Sequence, residues 1–278
     1  MGESSRLRGS CGSKSRFGLA RLGLLLAGAT CGAEAAERVQ EAALYPRDGR
    51  REMSGEDFSR YPGAGTLWCR RRDGVPQKAA AAWLVGAPDL VVLNAHNFRD
   101  RRLAETRSVS DCFFQIGGRN YDFIASSLRL GTPAGAQALH ITDDWALLRL
   151  ASPAADVRPQ PVPDPPDLSV GPVALPVTMV SPAGHENYRG GASLESCTIR
   201  QIDAPSEDAI RRVRHDCNDG YGGSGSGLFD EAGRLIALQS ASLSMNSRRT
   251  FDIEFHYGSA LLFEGELAAA VRAALSKR

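Results

Sequence analysis

The sequence predicts an all-β chain built in two halves and finished by one helix. Three observations carry this. Gly at 29 and Pro at 15 in 278 residues favour a turn-rich chain over a helical bundle. Short runs rich in aliphatic and β-branched residues recur between turn signals. Eight prolines between Pro153 and Pro176 separate these runs into two sets, because such a stretch donates poorly to a β-ladder and prefers extended polyproline geometry.

The elements follow in order. In residues 65–152 the strand-like runs are Thr66–Arg71, Ala80–Val85, Leu90–Leu93, Tyr121–Ser126 and Trp145–Leu150. Residues 153–176 read as a surface connector. In residues 177–278 the runs are Val177–Val180, Ser193–Ile202, Leu228–Phe229, Arg234–Ser240 and Phe251–Tyr257. Asp230-Glu231-Ala232-Gly233 between two apolar runs is a four-residue hairpin signal. Leu267, Val271 and Leu275 recur every four residues and predict a helix over Phe263–Leu275.

The first 35 residues read as an address rather than as structure. Arg6, Arg8, Lys14, Arg16 and Arg21 precede the apolar run Leu22–Ala29, and Ala33-Glu34-Ala35 supplies a small-residue cleavage triplet, the pattern of a secretory signal. Cys31 lacks the Leu and small-residue context of a lipoprotein. Residues 36–64, with Arg47, Arg50, Arg51 and Arg60, read as a pro-segment or a solvated lead. After the leader no stretch approaches the 18 apolar residues that a membrane helix needs. The expectation is a secreted or periplasmic protein.

Composition narrows the function classes. Hydrophobic residues at 42% and charged residues at 23% are ordinary for a globular chain. Lys+Arg at 33 against Asp+Glu at 32 gives no electrostatic case for nucleic acid as a partner. Cys69, Cys112, Cys197 and Cys217 remain after the leader. They lack the paired C-x-x-C spacing of a structural zinc site, so disulfides are expected. Four cysteines allow three pairings, among which sequence does not choose; the nearest-neighbour pairs Cys69–Cys112 and Cys197–Cys217 would each staple one half. No H-E-x-x-H or equivalent cluster points to a metal, and no cofactor is expected.

The chemistry concentrates in Cys217-Asn218-Asp219-Gly220-Tyr221-Gly222-Gly223-Ser224-Gly225-Ser226-Gly227. A nucleophilic serine needs its hydroxyl clear of side chains and backbone N–H groups turned toward a developing oxyanion, which glycines on both sides of Ser224 permit. A flexible Gly/Ser linker is the plain alternative, but the run is short, follows a cysteine and leads straight into an apolar strand. Serine also needs a base. Of His96, His140, His185, His215 and His256, His96 ends the strand-like run Leu90-Val91-Val92-Leu93-Asn94-Ala95, beside a polar loop. The third member is a partly buried carboxylate. Asp144 precedes the apolar Trp145-Ala146-Leu147-Leu148, and Asp143 is its competitor.

The segments Val91–His96, Asp144–Leu148 and Gly222–Gly227 resemble the three signature blocks of chymotrypsin-like serine proteases, in the order His, Asp, Ser. The last block is similar to the bacterial glutamyl-endopeptidase branch, with its Gly-x-Ser-Gly-Ser and upstream cysteine. The resemblance spans roughly residues 60–275. It implies two packed six-stranded antiparallel β-barrels with a C-terminal helix, and a monomeric serine endopeptidase acting on protein or peptide substrates. Ser224 would be nucleophile, His96 base and Asp144 its orienter. Gly222 and Ser224 would form the oxyanion hole, and Asn218, Gln239 and Ser240 would line the substrate site. The chain departs from the family at several points. Asn97 stands where a cysteine usually follows the His. Gly223 replaces the aspartate that trypsin uses for activation, and Gln239 replaces the glutamyl enzymes' His. Asn218 replaces trypsin's acidic pocket floor, and Gly227 the usual Pro. These departures leave a silent, protein-binding relative as the alternative reading.

Overall fold

The computed structural model describes residues 45–184, 191–219, 223–244 and 250–277. The leader expected at residues 1–35 lies outside them. In chain order the elements are β1 (Arg51–Glu52), α1 (Gly55–Arg60), β2 (Ala64–Arg70), β3 (Pro76–Leu84), β4 (Leu90–Leu93), β5 (Cys112–Ile116), β6 (Arg119–Leu130) and β7 (Ala146–Leu150). These are followed by β8 (Gly171–Ser181), β9 (Ser193–Ile202), β10 (Arg212–His215), β11 (Gly227–Phe229), β12 (Leu235–Ser244), β13 (His256–Leu262) and α2 (Gly265–Ser276).

Strands β2 to β7 close a first antiparallel barrel in the order β2-β3-β4-β7-β6-β5. Cys69 and Cys112 face each other across β2 and β5 and are joined by a disulfide. The second barrel runs β8-β9-β10-β13-β12-β11 and closes through pairing of β11 with β8. The Cys197–Cys217 disulfide ties β9 to the chain just beyond β10. Within the second barrel Asp230–Gly233 forms the β11–β12 hairpin turn. The Gly233 amide donates to Asp230 O, Gly233 takes φ +75°, and an Arg234–Asp230 ion pair spans the turn.

Several elements depart from the sequence pattern; β5 (Cys112–Ile116) was not expected at all, and those described below depart for a physical reason. β8 begins at Gly171, inside the proline-rich stretch, and passes through Pro172 and Pro176; its register to β9 slips between Pro172 and Leu175, which accommodates residues that cannot donate to the ladder. The run expected over Phe251–Tyr257 is a turn for its first half. Asp252 Oδ1 accepts the amides of Glu254 and Phe255, and the strand starts only at His256. β10 was invisible because its sequence, Arg-Val-Arg-His, carries one aliphatic residue. Arg212 and Arg214 instead pair with Asp203, and Arg214 lies 4.9 Å over the Tyr257 ring. Residues 45–64, read as a lead, include α1, whose N-cap Ser54 forms a reciprocal capping box with Asp57, and β1, which pairs with β9.

Each barrel has its own apolar filling, led by Leu67, Leu93, Phe98, Phe114 and Leu148 in the first, and by Met179, Ile199, Val213, Leu228 and Leu262 in the second. A third cluster lies between them. It joins Trp83, Val92 and Trp145 of the first barrel to Phe229, Leu238 and Leu261 of the second, with Leu267 and Val271 of α2 packed against it. Trp83 is fully buried, its ring 5.1 Å from that of Phe229, and its indole N–H donates to the Gly225 carbonyl at 2.8 Å. The Trp83→Ala variant should therefore lose about 3–5 kcal/mol in equilibrium denaturation, from the cavity and the orphaned carbonyl together.

Candidate active site

The first barrel presents two loops at one rim. Leu93 at the end of β4 pairs with Ala146 at the start of β7, so the chain leaving β4 and the chain entering β7 meet side by side. His96 sits in a single 3-10 turn, Ala95–Asn97, and Asp144 ends another, Ile141–Asp143. The Asn94 side-chain amide donates to the Asp144 carbonyl at 2.9 Å and ties the two loops together.

Asp144 is 3% exposed, and both of its oxygens are engaged. Oδ1 accepts the His96 backbone amide at 2.8 Å, and Oδ2 accepts His96 Nδ1 at 2.6 Å and the Ser240 hydroxyl. Asp143 faces elsewhere: its side chain accepts from Thr142 Oγ1, and burial raises its pKa. The carboxylate that meets His96 is thus Asp144. Burial disfavours a charged His96, but the Asp144 charge and hydrogen bond outweigh that penalty and raise the imidazole above its ordinary 6.5. With Nδ1 committed to Asp144, Nε2 is left to accept from Ser224 Oγ, 2.9 Å away.

Ser224 lies on a turn in the second barrel, between residue 223 and β11. The Ser226 amide closes the turn onto Gly223 O at 2.9 Å. The turn is held from both sides. Ala81 N of β3 donates to Ser224 O at 2.9 Å, and Gly225 N donates to Gln239 O of β12 at 2.8 Å. The Ser224 amide has no acceptor among the described residues. Gly222, its expected partner in an oxyanion hole, lies outside the described residues. At Gly225 φ is +78°, and a Cβ there would stand 2.1 Å from the Ala81 carbonyl.

The residues expected to line a substrate site part company. Ser240, 6% exposed, turns its hydroxyl to Asp144. Gln239 is fully buried; its Oε1 meets His215 Nε2 at 2.6 Å, and its Nε2 donates to Asp219 and to the Ala241 carbonyl. Asn218, 1% exposed, spends its side chain on the N-terminal segment and on Glu195, and is not brought to a surface where a substrate could reach it. Beside it Asp219 is buried. Oδ2 accepts from Gln239 and Ser242, Oδ1 has no partner among the described residues, and burial lifts its pKa to about 6. Sequence reasoning gave Tyr45 and Glu195 no role and named His215 only among the candidate bases. Nothing in a half-alternating strand marks Glu195, which is 5% exposed, and burial holds His215 neutral by lowering its pKa to about 4. Among the described residues no group of three or more His, Cys, Asp or Glu side chains could hold a metal.

The Gly225→Ala variant should either fail to accumulate as folded protein or lose several kcal/mol in thermal or chemical unfolding, because both the dihedral and the Ala81 contact forbid a Cβ.

Comparison with known proteins agrees with this architecture. The family model of the trypsin-like peptidase domain matches residues 80–238, more than half of the chain. No curated protein matches in sequence. Among solved structures, a Glu endopeptidase in complex with MPD aligns with a TM-score of 0.54 at 11% identity, covering 83% of this chain and 98% of that one. The HtrA-type protease AlgW with decapeptide aligns with a TM-score of 0.50 at 13% identity, covering 80% of this chain and 66% of that one. At these identities the structural likeness speaks for the fold, while the family match covers the strand of Ala81, both loops of the first barrel and the Ser224 turn. The chain belongs to the trypsin-like peptidase family.

Proposed function

We propose that the protein is an exported serine endopeptidase that cleaves peptide bonds through Ser224, His96 and Asp144. The observation that carries the reading is one line of hydrogen bonds, from Asp144 Oδ2 to His96 Nδ1 at 2.6 Å and from His96 Nε2 to Ser224 Oγ at 2.9 Å, assembled from loops of both barrels. Ser224 Oγ attacks the scissile carbonyl as His96 takes its proton; His96 then returns that proton to the leaving amine, and an acyl-enzyme remains for water to hydrolyse. Asp144 holds the Nδ1 proton in place and stabilises the imidazolium. The amides of Ser224 and Gly222 serve the oxyanion, each donor contributing about 10²–10³ in rate.

The substrate reading rests on β12. This strand pairs with β11 only as far as Leu238, so beyond Gln239 its edge away from β13 has no strand partner among the described residues. An extended peptide can add to that edge by main-chain hydrogen bonds, next to Ser224. Ser240 supports the edge from below while binding Asp144. Gln239 and Asn218 support the edge from behind, both buried. Export is supported by two disulfides and the basic-apolar leader at residues 1–35. No helix among the described residues is long and apolar enough to cross a membrane.

A fluorophosphonate should label the purified protein at Ser224, and the Ser224→Ala and His96→Ala variants should take no label. A folded, disulfide-intact chain that stays unlabelled would instead be a silent binding relative.

The pH profile of kcat/KM supplies a second check. His96 works as base only when neutral, and its pKa is raised above 6.5, so the rate should fall as pH drops through a value above 6.5. Asp144→Asn removes the charge that raises the pKa, so the limb should move to lower pH, with kcat reduced by about 10⁴.

A further inference from the structure

The chain leaves the His96 turn at Phe98 and comes back to it at Thr106. The Thr106 amide donates to the Phe98 carbonyl at 3.0 Å, and a single antiparallel bridge joins Arg99 to Glu105. Within this excursion Asp100 Oδ1 accepts the amides of Arg102 and Ala104. The Leu139 amide donates to the Arg101 carbonyl at 2.9 Å and ties the excursion to the loop that leads to Asp144. The path is therefore bonded at its base, its middle and its tip, and it delivers Arg107 to a fixed place beside the site. There Arg107 Nη1 donates to the carbonyl of Asn97, the residue after His96, at 3.4 Å.

The charge on Arg107 is unspent. Arg99 on the same loop is paired with Glu105 at 3.1 Å, whereas no carboxylate among the described residues pairs with Arg107, which is exposed. Its guanidinium is close enough to act on the imidazole. Of the charges around His96, Asp144 and Asp219 raise its pKa and Arg107 lowers it. A solvated surface arginine would need neither this anchoring nor this position.

The two halves of a bound peptide run to opposite sides of Ser224. On the reading above, the acyl half lies along β12 beyond Gln239, and β12 meets the triad at its Asp144 end through the Ser240 hydroxyl. His96 Nε2 has to reach the leaving nitrogen. The leaving half thus crosses the His96 turn toward its far end, where Asn97 and Arg107 stand.

We propose that Arg107 is a specificity-determining residue of the leaving-group side, selecting substrates that carry Asp or Glu at one of the two positions after the scissile bond. The inference rests on the peptidase reading above and gives that site a substrate class. An exposed ion pair of this kind changes a rate by about 2- to 5-fold, and salt screens it.

The test uses the full chain and internally quenched peptides that it cleaves, with Glu, Gln or Lys placed at each position on either side of the cut. At low salt, Glu after the cut should exceed Gln by about 5-fold in kcat/KM, and Lys should fall below Gln. The spread should shrink between about 50 mM and about 0.5 M NaCl. Arg107→Gln should abolish the Glu-to-Gln ratio, and Arg107→Glu should reverse the order so that Lys is preferred. Arg107→Gln also removes a cation that disfavours the imidazolium, so the acid limb of kcat/KM on the Gln peptide should move to higher pH. Ratios that are the same in the parent chain and both variants, a charge preference that changes only before the cut, or an acid limb that stays in place overturns the proposal. A parent chain that takes no fluorophosphonate at Ser224 overturns the peptidase reading itself, and this inference with it.

Discussion

The turn at Ser224–Gly225 is hydrogen-bonded to both barrels at once, and the rest of the site depends on that. Ala81 and Trp83 of β3 grip it from the first barrel, and Gln239 of β12 grips it from the second. The grip explains local choices that otherwise look unrelated. Ala81 of β3 is small where the Ser224–Gly225 backbone passes against it. Residue 225 is glycine because it turns at positive φ against a carbonyl. Trp83, one of two tryptophans between the barrels, both fills the interface and caps the Gly225 carbonyl.

Electrostatics at the site follow from burial. Asp144 is nearly inaccessible, so its charge is placed by donors: the His96 amide and ring and the Ser240 hydroxyl. In that setting a carboxylate acts strongly on the one imidazole it faces, because little solvent screens the pair. His215 shows the opposite outcome. It is fully buried, faces Gln239, a neutral partner, and stays uncharged. The two histidines thus differ in proton affinity, one raised by the carboxylate it faces and the other lowered by burial beside a neutral amide.

The site was more legible in the sequence than the framework around it. His96, Asp144 and Ser224 each lie at the edge of an apolar run, so pattern and chemistry coincide at those positions. The β5, β10 and β13 boundaries were not legible in the same way. Arg212 and Arg214 make a strand without an apolar stripe because their partners, Asp203 and Tyr257, come from elsewhere in the chain. The alternation Phe251-Asp252-Ile253-Glu254-Phe255 imitates a strand, yet one aspartate side chain captures two amides and bends it into a turn. Asn218 was assigned by position alone, and position cannot reveal that Tyr45, Arg47 and Glu195 occupy its side chain. What remains hidden in each case is a partner distant in sequence.

The division of the triad between two separately filled barrels has a consequence for the chain before it is complete. His96 and Asp144 can find each other once the first barrel closes, but Ser224 reaches them only after the second has docked onto Trp83 and Ala81. On the proposed peptidase reading, a half-assembled chain therefore lacks the base that would activate Ser224, and competence is a property of the finished tertiary structure.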